Sequence, residues 1–199
     1  MTASGKFAGK KALVFGGTSG IGLAAVNQLR EQGAQVVAIS RDPSKAGDIP
    51  GVTLEACDVR DVDALNQLFA AHAPFDLLIS AATGGSRAAG PFLQMDLAAY
   101  QASLGQALGL YQHRATWHRA FDRVRRYRIG EWRACTTCKT WSGCFGLGRG
   151  AVEQFARAVA PELAPRRINV VSPGVIDTPM FGPDADARVK MLKAPQPGI

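Results

Sequence analysis

Long apolar runs are absent from this sequence, and none of its hydrophobic stretches reaches the length of a membrane-spanning segment. Residues 1–6 also lack the apolar stretch of a secretory signal peptide. Cysteine is scarce, and the four cysteines show no spacing typical of a disulfide framework. Together these absences predict a protein of a reducing compartment without a membrane span, and we expect a cytoplasmic location.

Acidic residues are fewer than basic residues, and most of this difference lies in one segment of the chain. The net charge is +7, and residues 112–146 alone carry eight basic residues against two acidic ones, which accounts for six of these charges. The high pI therefore describes one segment, and we expect no nucleic-acid partner for the domain as a whole. With 47% hydrophobic residues, the 199-residue chain can bury one core, so we expect residues 1–199 to form a single domain.

The clearest motif lies between residues 11 and 33. Lys11 to Phe15 predicts a buried strand, and apolar residues recur at helical spacing from Ile21 until Gly33 ends the pattern. A strand that turns this directly into a helix leaves the first backbone N–H groups of the helix facing a crevice. The positive end of the helix dipole then favours a phosphate group at that point.

Three glycines supply the turn that this geometry needs. Gly16 permits a tight turn, while Gly20 and Gly22 allow a diphosphate and the strand to approach the helix without an intervening Cβ. Thr18 and Ser19 add hydroxyl donors. An ordinary glycine-rich loop is the alternative, but the strand before it and the helix after it favour nucleotide binding.

The second predicted strand, Gln35 to Ile39, ends in Ser40-Arg41, with Asp42 only afterwards. An acidic residue at this end of the strand would accept a hydrogen bond from the adenosine ribose, whereas an arginine suits a 2′-phosphate. Ser40 and Arg41 therefore favour NADP(H) over NAD(H). A solvated loop arginine without a ligand is the alternative.

The rest of the first half alternates between strand and helix patterns. Strands are predicted at Val52 to Cys57 and at Phe75 to Ser80, and Asp61 is the predicted N-cap of the helix between them. A further helix is predicted from Leu97 to Tyr111. This alternation predicts an α/β fold with a doubly wound, Rossmann-type parallel sheet covered on both faces.

These residues resemble the short-chain dehydrogenase/reductase family. The similarity extends over two blocks, from Lys6 to Tyr111 and from Ala151 to Met180. The motifs that carry it are Gly16-x-x-x-Gly20-x-Gly22, Asp58-Val59, Ser80-Ala81-Ala82-Thr83, Arg167 to Gly174, and Thr178-Pro179.

The resemblance implies hydride transfer between NADPH and a small carbonyl or alcohol substrate, with a tyrosine, a lysine, a serine and an asparagine as catalytic residues. It also implies a homo-oligomer that pairs through the helix from Ala151 to Leu163. The residues expected to bind the cofactor are Gly16, Thr18, Ser19, Gly20, Ile21, Gly22, Ser40, Arg41, Asp58, Val59, Ala81, Ala82, Pro173, Gly174, Ile176 and Thr178.

The catalytic positions of the family hold other residues in this chain. Phe145 and Arg149 occupy the tyrosine and lysine positions, and the serine and asparagine positions fall near Trp132 and Ala107. Phenylalanine has no hydroxyl, and loss of the acid alone costs roughly 10²–10⁴-fold in rate. We therefore assign no catalytic residue, and a catalytically silent nucleotide-binding protein is the alternative to an oxidoreductase.

Residues 112–146 also lack an apolar strand pattern where the fold needs a central parallel strand. Without a fifth strand in this segment, the fourth strand would be an exposed edge of the sheet, and the sixth strand would have no strand to pair with. The helix before the sixth strand is expected to begin at Ala151.

Three explanations of this segment remain open. The segment is either an insert that binds zinc or nucleic acid, or a diverged catalytic region, or a stretch whose coding DNA is translated in a displaced reading frame. We favour the displaced frame, because all three tryptophans, three of the four cysteines and two of the three histidines fall here, and a one-base shift turns each TGG codon into a glycine codon. A single Cys-x-x-Cys is weak support for zinc, so no metal ligand is assigned. The candidate zinc residues are His118, Cys135, Cys138 and Cys144, within residues 113–144.

The C-terminal residues predict a short helix from Asp184 to Leu192 and a flexible Pro/Gly tail over residues 193–199. The last strand of the family and its closing substrate loop have no counterpart in the pattern. We expect the edge of the sheet to lack that strand.

Overall fold

The computed structural model describes residues 5–82, 126–130, 142–171, 173, 176–179, 182 and 184–193. Six strands and four α-helices lie in these residues. The strands are β1 (Lys11–Phe15), β2 (Gln35–Ser40), β3 (Val52–Ala56), β4 (Leu77–Ser80), β5 (Arg126–Gly130) and β6 (Val170–Val171). The helices are α1 (Gly20–Glu31), α2 (Val62–His72), α3 (Ser142–Leu163) and α4 (Ala185–Lys193), and a short 3₁₀ turn covers Pro43–Ala46.

All described strands join one parallel sheet in the order β3-β2-β1-β4-β5-β6. Phe15 at the end of β1 is in register with Ile39 of β2 and with Ser80 of β4. β2 and β3 thus lie on one side of β1, and β4, β5 and β6 follow on the other side. The predicted doubly wound sheet is confirmed.

Alternating residues of β1 serve two hydrophobic cores, one on each face of the sheet. Leu13 and Phe15 pack in the core that also contains residues of α2 and Val152 of α3. Ala12 and Val14 pack in the other core, together with residues of α1. β1 is buried on both faces, which is why its sequence reads as a continuous apolar run.

Charged side chains stabilise the edge of the sheet at which the strands begin. Lys10 Nζ lies 2.9 Å from Asp76 Oδ1, and Asp76 Oδ2 accepts a hydrogen bond from the backbone N–H of Lys11 at 3.1 Å. Lys11 Nζ donates to the carbonyl oxygen of His72 at 2.8 Å. These contacts join the start of β1 to the start of β4 and the end of α2.

The prediction that residues 112–146 contain no strand was wrong. β5 pairs with β4 along Leu77 to Ser80, and Ile129 of β5 is in register with Val170 of β6. A parallel ladder is made of backbone hydrogen bonds, so a segment such as Arg-Tyr-Arg-Ile-Gly can occupy it without a continuous apolar run. β4 and β6 both have their neighbour, contrary to expectation.

α3 begins at Ser142, nine residues before its predicted start at Ala151. The prediction took the loss of apolar periodicity as the start of the helix, but three glycines between Ser142 and Arg149 dilute that periodicity without ending the helix. Within the described residues, no strand pairs with the outer edge of β6. The predicted helix from Leu97 to Tyr111 and the tail beyond Lys193 lie outside the described residues. No described helix is long and apolar enough to cross a membrane.

Candidate cofactor site

The turn after β1 packs directly against the end of β4. Gly16 has a φ of +74°, and its N–H donates to the carbonyl oxygen of Ile39 at 2.7 Å. A Cβ at position 16 would stand 2.8 Å from backbone atoms of both Ala81 and Ala82. The N–H of Ala81 in turn donates to the carbonyl oxygen of Phe15 at 2.8 Å. Position 16 therefore accepts only glycine, for both conformational and steric reasons.

The start of α1 lies on the same turn. A Cβ at position 22 would overlap the carbonyl oxygen of Gly16, and Gly20 has a φ of +52°. Gly17 was not singled out in the sequence, yet a Cβ there would lie 2.8 Å from the carbonyl oxygen of Val14. The consecutive pair Gly16-Gly17 was the signal that could have indicated it. The strand, the turn and the helix thus meet without side chains between them.

The N-terminus of α1 is left open by its own N-cap residue. Ser19 is extended, makes no capping hydrogen bond with its side chain, and accepts the first helical bond from Leu23 N at 3.1 Å. By contrast, the predicted cap of α2 is confirmed, since Asp61 accepts hydrogen bonds from Asp63 N and Ala64 N at 3.0 Å each. The first N–H groups of α1 therefore receive no hydrogen bond from the Ser19 side chain, and uncapped helix starts are sites that bind anions. Thr18 and Ile21 are half-buried beside them, and Ser19 is exposed.

The carboxyl ends of β2 and β3 lie next to each other on one side of β1. The N–H of Cys57 donates to the carbonyl oxygen of Ser40 at 2.9 Å, which brings Arg41 and Asp58 close together. The Ser40 hydroxyl oxygen is buried and has no hydrogen-bond partner in the described structure. Arg41 is exposed, and Val59 is buried in the core.

Asp58 is held by Arg60, a contact that the sequence pattern does not indicate. Arg60 donates its backbone N–H to Asp58 Oδ1 at 2.9 Å and its Nη2 to Oδ2 at 2.6 Å, and its Nε lies 3.1 Å from Oδ1. These hydrogen bonds lower the pKa of Asp58 to about 2, with a smaller contribution from the charge of Arg41. Burial raises the pKa of the neighbouring Cys57 thiol to about 11, so that thiol stays protonated.

The two sides of the crevice are set by the strand order. β2 and β3 lie on one side of β1, and β4, β5 and β6 lie on the other, so the order in which strands are added reverses between β1 and β4. Such a switch point is where open parallel sheets bind their ligands. Ala81 and Ala82 lie at this point, and both are half-buried residues with small side chains.

Comparisons with known proteins agree with this geometry. The family model for NAD(P)H-binding proteins matches residues 16–108. A solved short chain dehydrogenase/reductase family protein superposes with a TM-score of 0.75 at 26% identity, over 95% of this chain and 81% of that one. A short chain dehydrogenase from Burkholderia cenocepacia, solved in complex with NADP, has the same fold, with a TM-score of 0.76 at 22% identity over 97% and 86% of the two chains.

Two curated relatives extend the similarity beyond the fold. L-xylulose reductase from Bos taurus is 30% identical over 193 residues, which cover 88% of this chain and 75% of that protein. The 3-oxoacyl-[acyl-carrier-protein] reductase MabA from Mycobacterium tuberculosis is 30% identical over 87% of this chain and 72% of its own length. This chain belongs to the short-chain dehydrogenase/reductase family. By family it is a short-chain oxidoreductase, and its sheet carries an NAD(P)-binding region.

The two residues predicted at the tyrosine and lysine positions both belong to α3. Phe145 and Arg149 are four residues apart within Ser142–Leu163, so they occupy successive turns of one helix. Trp132 and Ala107 lie outside the described residues. So do Cys135, Cys138 and His118, while Cys144 belongs to α3. Among the described residues, no group of three potential metal ligands occurs.

The segment after β6 carries the remaining predicted cofactor residues of this short-chain dehydrogenase/reductase. Pro173 is half-buried and Ile176 is 40% exposed, whereas Gly174 lies outside the described residues. Thr178 is only 3% exposed, and its hydroxyl oxygen has no hydrogen-bond partner in the described structure. Together with the glycine turn, the unpaired hydroxyls of Ser40 and Thr178 fit a dinucleotide that offers polar groups at both ends.

Proposed function

We propose that this chain binds NADP(H) across the carboxyl edge of its sheet and serves hydride transfer between the nicotinamide and a small carbonyl or alcohol substrate. The observation that carries this proposal is the contact between Gly16 and Gly22. That contact requires that position 22 carry no side chain, and the side chain of Ser19 does not cap the helix. A diphosphate is the group that such a helix start accepts best.

The side of the crevice formed by β2 and β3 favours the phosphorylated cofactor. Arg41 is exposed at the end of β2 and offers a guanidinium, and the buried Ser40 hydroxyl lies beside it in the chain. Guanidinium groups bind phosphate with two parallel hydrogen bonds, so the proposal is a preference for NADP(H) over NAD(H). Asp58 and Val59, at the adjacent strand end, are proposed to contact the adenosine.

The substrate class is proposed from the names of the relatives. L-xylulose reductase, 2-keto-3-deoxy-L-fuconate dehydrogenase from Xanthomonas campestris, which is 28% identical, and a 3-oxoacyl reductase are all named for carbonyl or alcohol substrates. When bound, the nicotinamide supplies or accepts the hydride. A proton must then reach or leave the substrate oxygen, and Phe145 has no group that can carry it.

Binding without turnover is the second candidate function, and the identity of Phe145 favours it. Arg149, one turn further along α3, keeps a positive charge but differs from lysine in shape and hydrogen-bonding geometry. Without the proton donor, the rate of carbonyl reduction is expected to fall by roughly 10²–10⁴-fold.

One pair of assays tests the proposal. Purified protein is titrated with NADPH and with NADH while nicotinamide fluorescence is followed, and NADPH consumption is then measured with a panel of ketones, aldehydes and keto sugars. We expect NADPH to bind about 10-fold or more tightly than NADH. Consumption above the rate without substrate supports the oxidoreductase, and binding without consumption supports the silent protein. Saturable binding of neither cofactor would overturn both.

The variant Phe145→Tyr is the matched comparison for the consumption assay. It restores a hydroxyl on the same aromatic ring. If the missing hydroxyl limits the rate, consumption should rise in this variant while the affinity for NADPH stays the same.

We further propose a homo-oligomer and a cytoplasmic site of action. Within α3, Val152 and Ala156 face the core, while Gln154, Arg157 and Ala158 are exposed and available to a second copy. Light scattering on the eluting protein measures the mass and tests the assembly. The free, buried thiol of Cys57 is compatible with a reducing compartment.

A further inference from the structure

Two carboxylates lie beside Arg41 at the carboxyl ends of β2 and β3. Asp42 follows Arg41 directly in the chain. Asp58 follows β3, and its strand end is joined to that of β2, since Cys57 N donates to the carbonyl oxygen of Ser40 at 2.9 Å. An ion pair between Arg41 and either carboxylate would compete with a phosphate group for the same guanidinium.

Arg41 itself forms neither of these ion pairs. It is exposed, and its guanidinium makes no hydrogen bond or ion pair with the residues that the structure describes. The charge of Arg41 nevertheless reaches Asp58, whose pKa is lowered to about 2 first by hydrogen bonds from Arg60 and to a smaller extent by the charge of Arg41. The two groups therefore interact, while the guanidinium of Arg41 stays free.

The carboxylate of Asp58 is instead occupied by Arg60. Nη2 of Arg60 lies 2.6 Å from Oδ2, its Nε lies 3.1 Å from Oδ1, and its backbone N–H donates to Oδ1 at 2.9 Å. A carboxylate offers about four acceptor sites, so three donors from one residue leave room for about one more. The side chain of Arg60 is 53% exposed, so it can be replaced without opening the hydrophobic core.

The carboxylate of Asp42 is engaged in a similar way by its own neighbours. Its Oδ1 accepts a hydrogen bond from the Ser44 hydroxyl, and Lys45 Nζ lies 3.2 Å from its Oδ2. The ion pair with Lys45 is expected to be weak, because the lysine side chain is 81% exposed and offers a single contact. Each carboxylate beside Arg41 thus has another cation as its partner, and the stronger of the two contacts is that of Arg60.

We propose that Arg60 determines cofactor specificity by occupying both oxygens of the Asp58 carboxylate, which keeps the Arg41 guanidinium free to bind the 2′-phosphate of NADP(H). This inference rests on the proposed function, since it requires that Arg41 bind that phosphate. Arg60 acts through Asp58 and is therefore a positioning residue. Without Arg60, the Asp58 carboxylate pairs with Arg41 and repels the 2′-phosphate, and both effects weaken the binding of NADPH without weakening that of NADH.

Two other roles of Arg60 compete with this one. If the ion pair with Asp58 is purely structural, its loss changes the affinities for NADPH and NADH by the same factor. If Arg60 leaves Asp58 and binds the phosphate itself, its loss lowers the preference for NADPH whether or not residue 58 carries a charge. The three roles are separated by the preference ratio, defined as the Kd of NADH divided by the Kd of NADPH, measured with and without the charge of Asp58.

The experiment determines this preference ratio by fluorescence titration near neutral pH. Arg60→Gln removes the guanidinium, and Arg60→Met replaces that variant if it does not fold. Both the wild-type protein and the variant Asp58→Asn serve as backgrounds for the change at position 60. Lys10→Gln is the matched control, because it also removes one ion-paired cation, the partner of Asp76 at the opposite edge of the sheet.

We expect Arg60→Gln to lower the preference ratio by about 3- to 10-fold in the wild-type background, through weaker binding of NADPH. The affinity for NADH should change by less than about twofold, and Lys10→Gln should leave the ratio within about twofold of the wild-type value. In the Asp58→Asn background, Arg60→Gln should lower the ratio by less than about twofold, because no carboxylate remains to compete for Arg41.

The inference is overturned if Arg60→Gln leaves the preference ratio unchanged, if it weakens NADPH and NADH by the same factor, or if its effect is as large in the Asp58→Asn background as in the wild-type background. Any of these results, with a wild-type protein that prefers NADPH, leaves the proposed function standing. Equal binding of both cofactors by the wild-type protein removes the proposed preference and this inference, while cofactor binding stands. Binding of neither removes the proposed function and this inference together.

Discussion

The carbonyl oxygen of Gly16 occupies the space that a Cβ at position 22 would need. Because of this contact, the first turn of α1 packs directly against the turn that follows β1. At the point of contact, both surfaces consist of backbone atoms. The proposed diphosphate site depends on it, because any side chain at this point would push the helix away from the turn and cover its N–H groups.

Substitution of Gly22 by alanine should destabilise the protein by about 1–3 kcal/mol, because the new methyl group meets backbone that cannot move aside. Gly150→Ala is the control. Gly150 is exposed within α3, and a Cβ there meets nothing within 4 Å. That change should stabilise the protein by about 0.5–1 kcal/mol through helix propensity. Urea unfolding of the two variants measures both effects, and equal effects of the same sign would contradict the packing described for Gly22.

Arg41→Ala should weaken NADPH binding by about 10- to 100-fold and leave NADH binding nearly unchanged, because only NADPH carries the 2′-phosphate. Arg30→Ala removes the same charge from the last turn of α1, where Arg30 donates to the carbonyl oxygen of Pro50 at 3.0 Å. Fluorescence titrations should show no selective loss of NADPH in that control. If Arg41→Ala weakens both cofactors equally, Arg41 does not recognise the phosphate.

The pH dependence of stability should carry the signature of Asp58. Its pKa is lowered to about 2 in the folded protein, first by the hydrogen bond from Arg60. The unfolded value is about 3.9. The ionised, bonded carboxylate therefore stabilises the fold above about pH 4, and this contribution is lost as the pH falls from about 4 to 2.

Unfolding of wild-type protein and of Arg60→Gln across this range of pH measures the effect. Arg60→Gln should flatten the pH dependence between about pH 4 and 2, since the pKa of Asp58 then moves back toward its unfolded value. Superimposable profiles for the two proteins would mean that the Arg60–Asp58 contact does not persist in solution.

The coding DNA for residues 112–146 provides a test that needs no protein. β5 removes one argument for a displaced reading frame, because this segment does contribute a strand. The concentration of tryptophan, cysteine and histidine in it is unchanged. If the frame is displaced, one of the other two frames should encode an apolar strand pattern and glycine in place of the tryptophans. Stop codons or polar sequence in both would count against a displaced frame.

The parts of the fold that sequence could predict are those determined locally. β1 was predicted at its observed bounds because it is buried on both faces, and Asp61 was predicted as a cap because a capping hydrogen bond spans only two or three residues. β5 was missed because its place in the sheet depends on backbone pairing with β4 and not on an apolar pattern.

The candidate site likewise has features that the sequence predicts and features that only the structure shows. The glycine turn was predicted because a phosphate-binding turn restricts the residue types at fixed spacings. The contact of Arg60 with Asp58 was not, since surface charges are common and sequence gives no means of telling which of them pair. The unpaired hydroxyls of Ser40 and Thr178 likewise become evident only when burial is known.

The most direct measurement of the central claim is the backbone amide NMR spectrum of the protein during titration with NADP⁺. The account predicts that the largest saturable shifts arise from the amides of Gly20, Ile21 and Gly22, where the first turn of α1 would donate to the diphosphate. Shifts at Arg41 and Asp58 should saturate at the same concentration. Saturable NADP⁺ binding that leaves the amides of residues 20–22 unmoved would contradict the account.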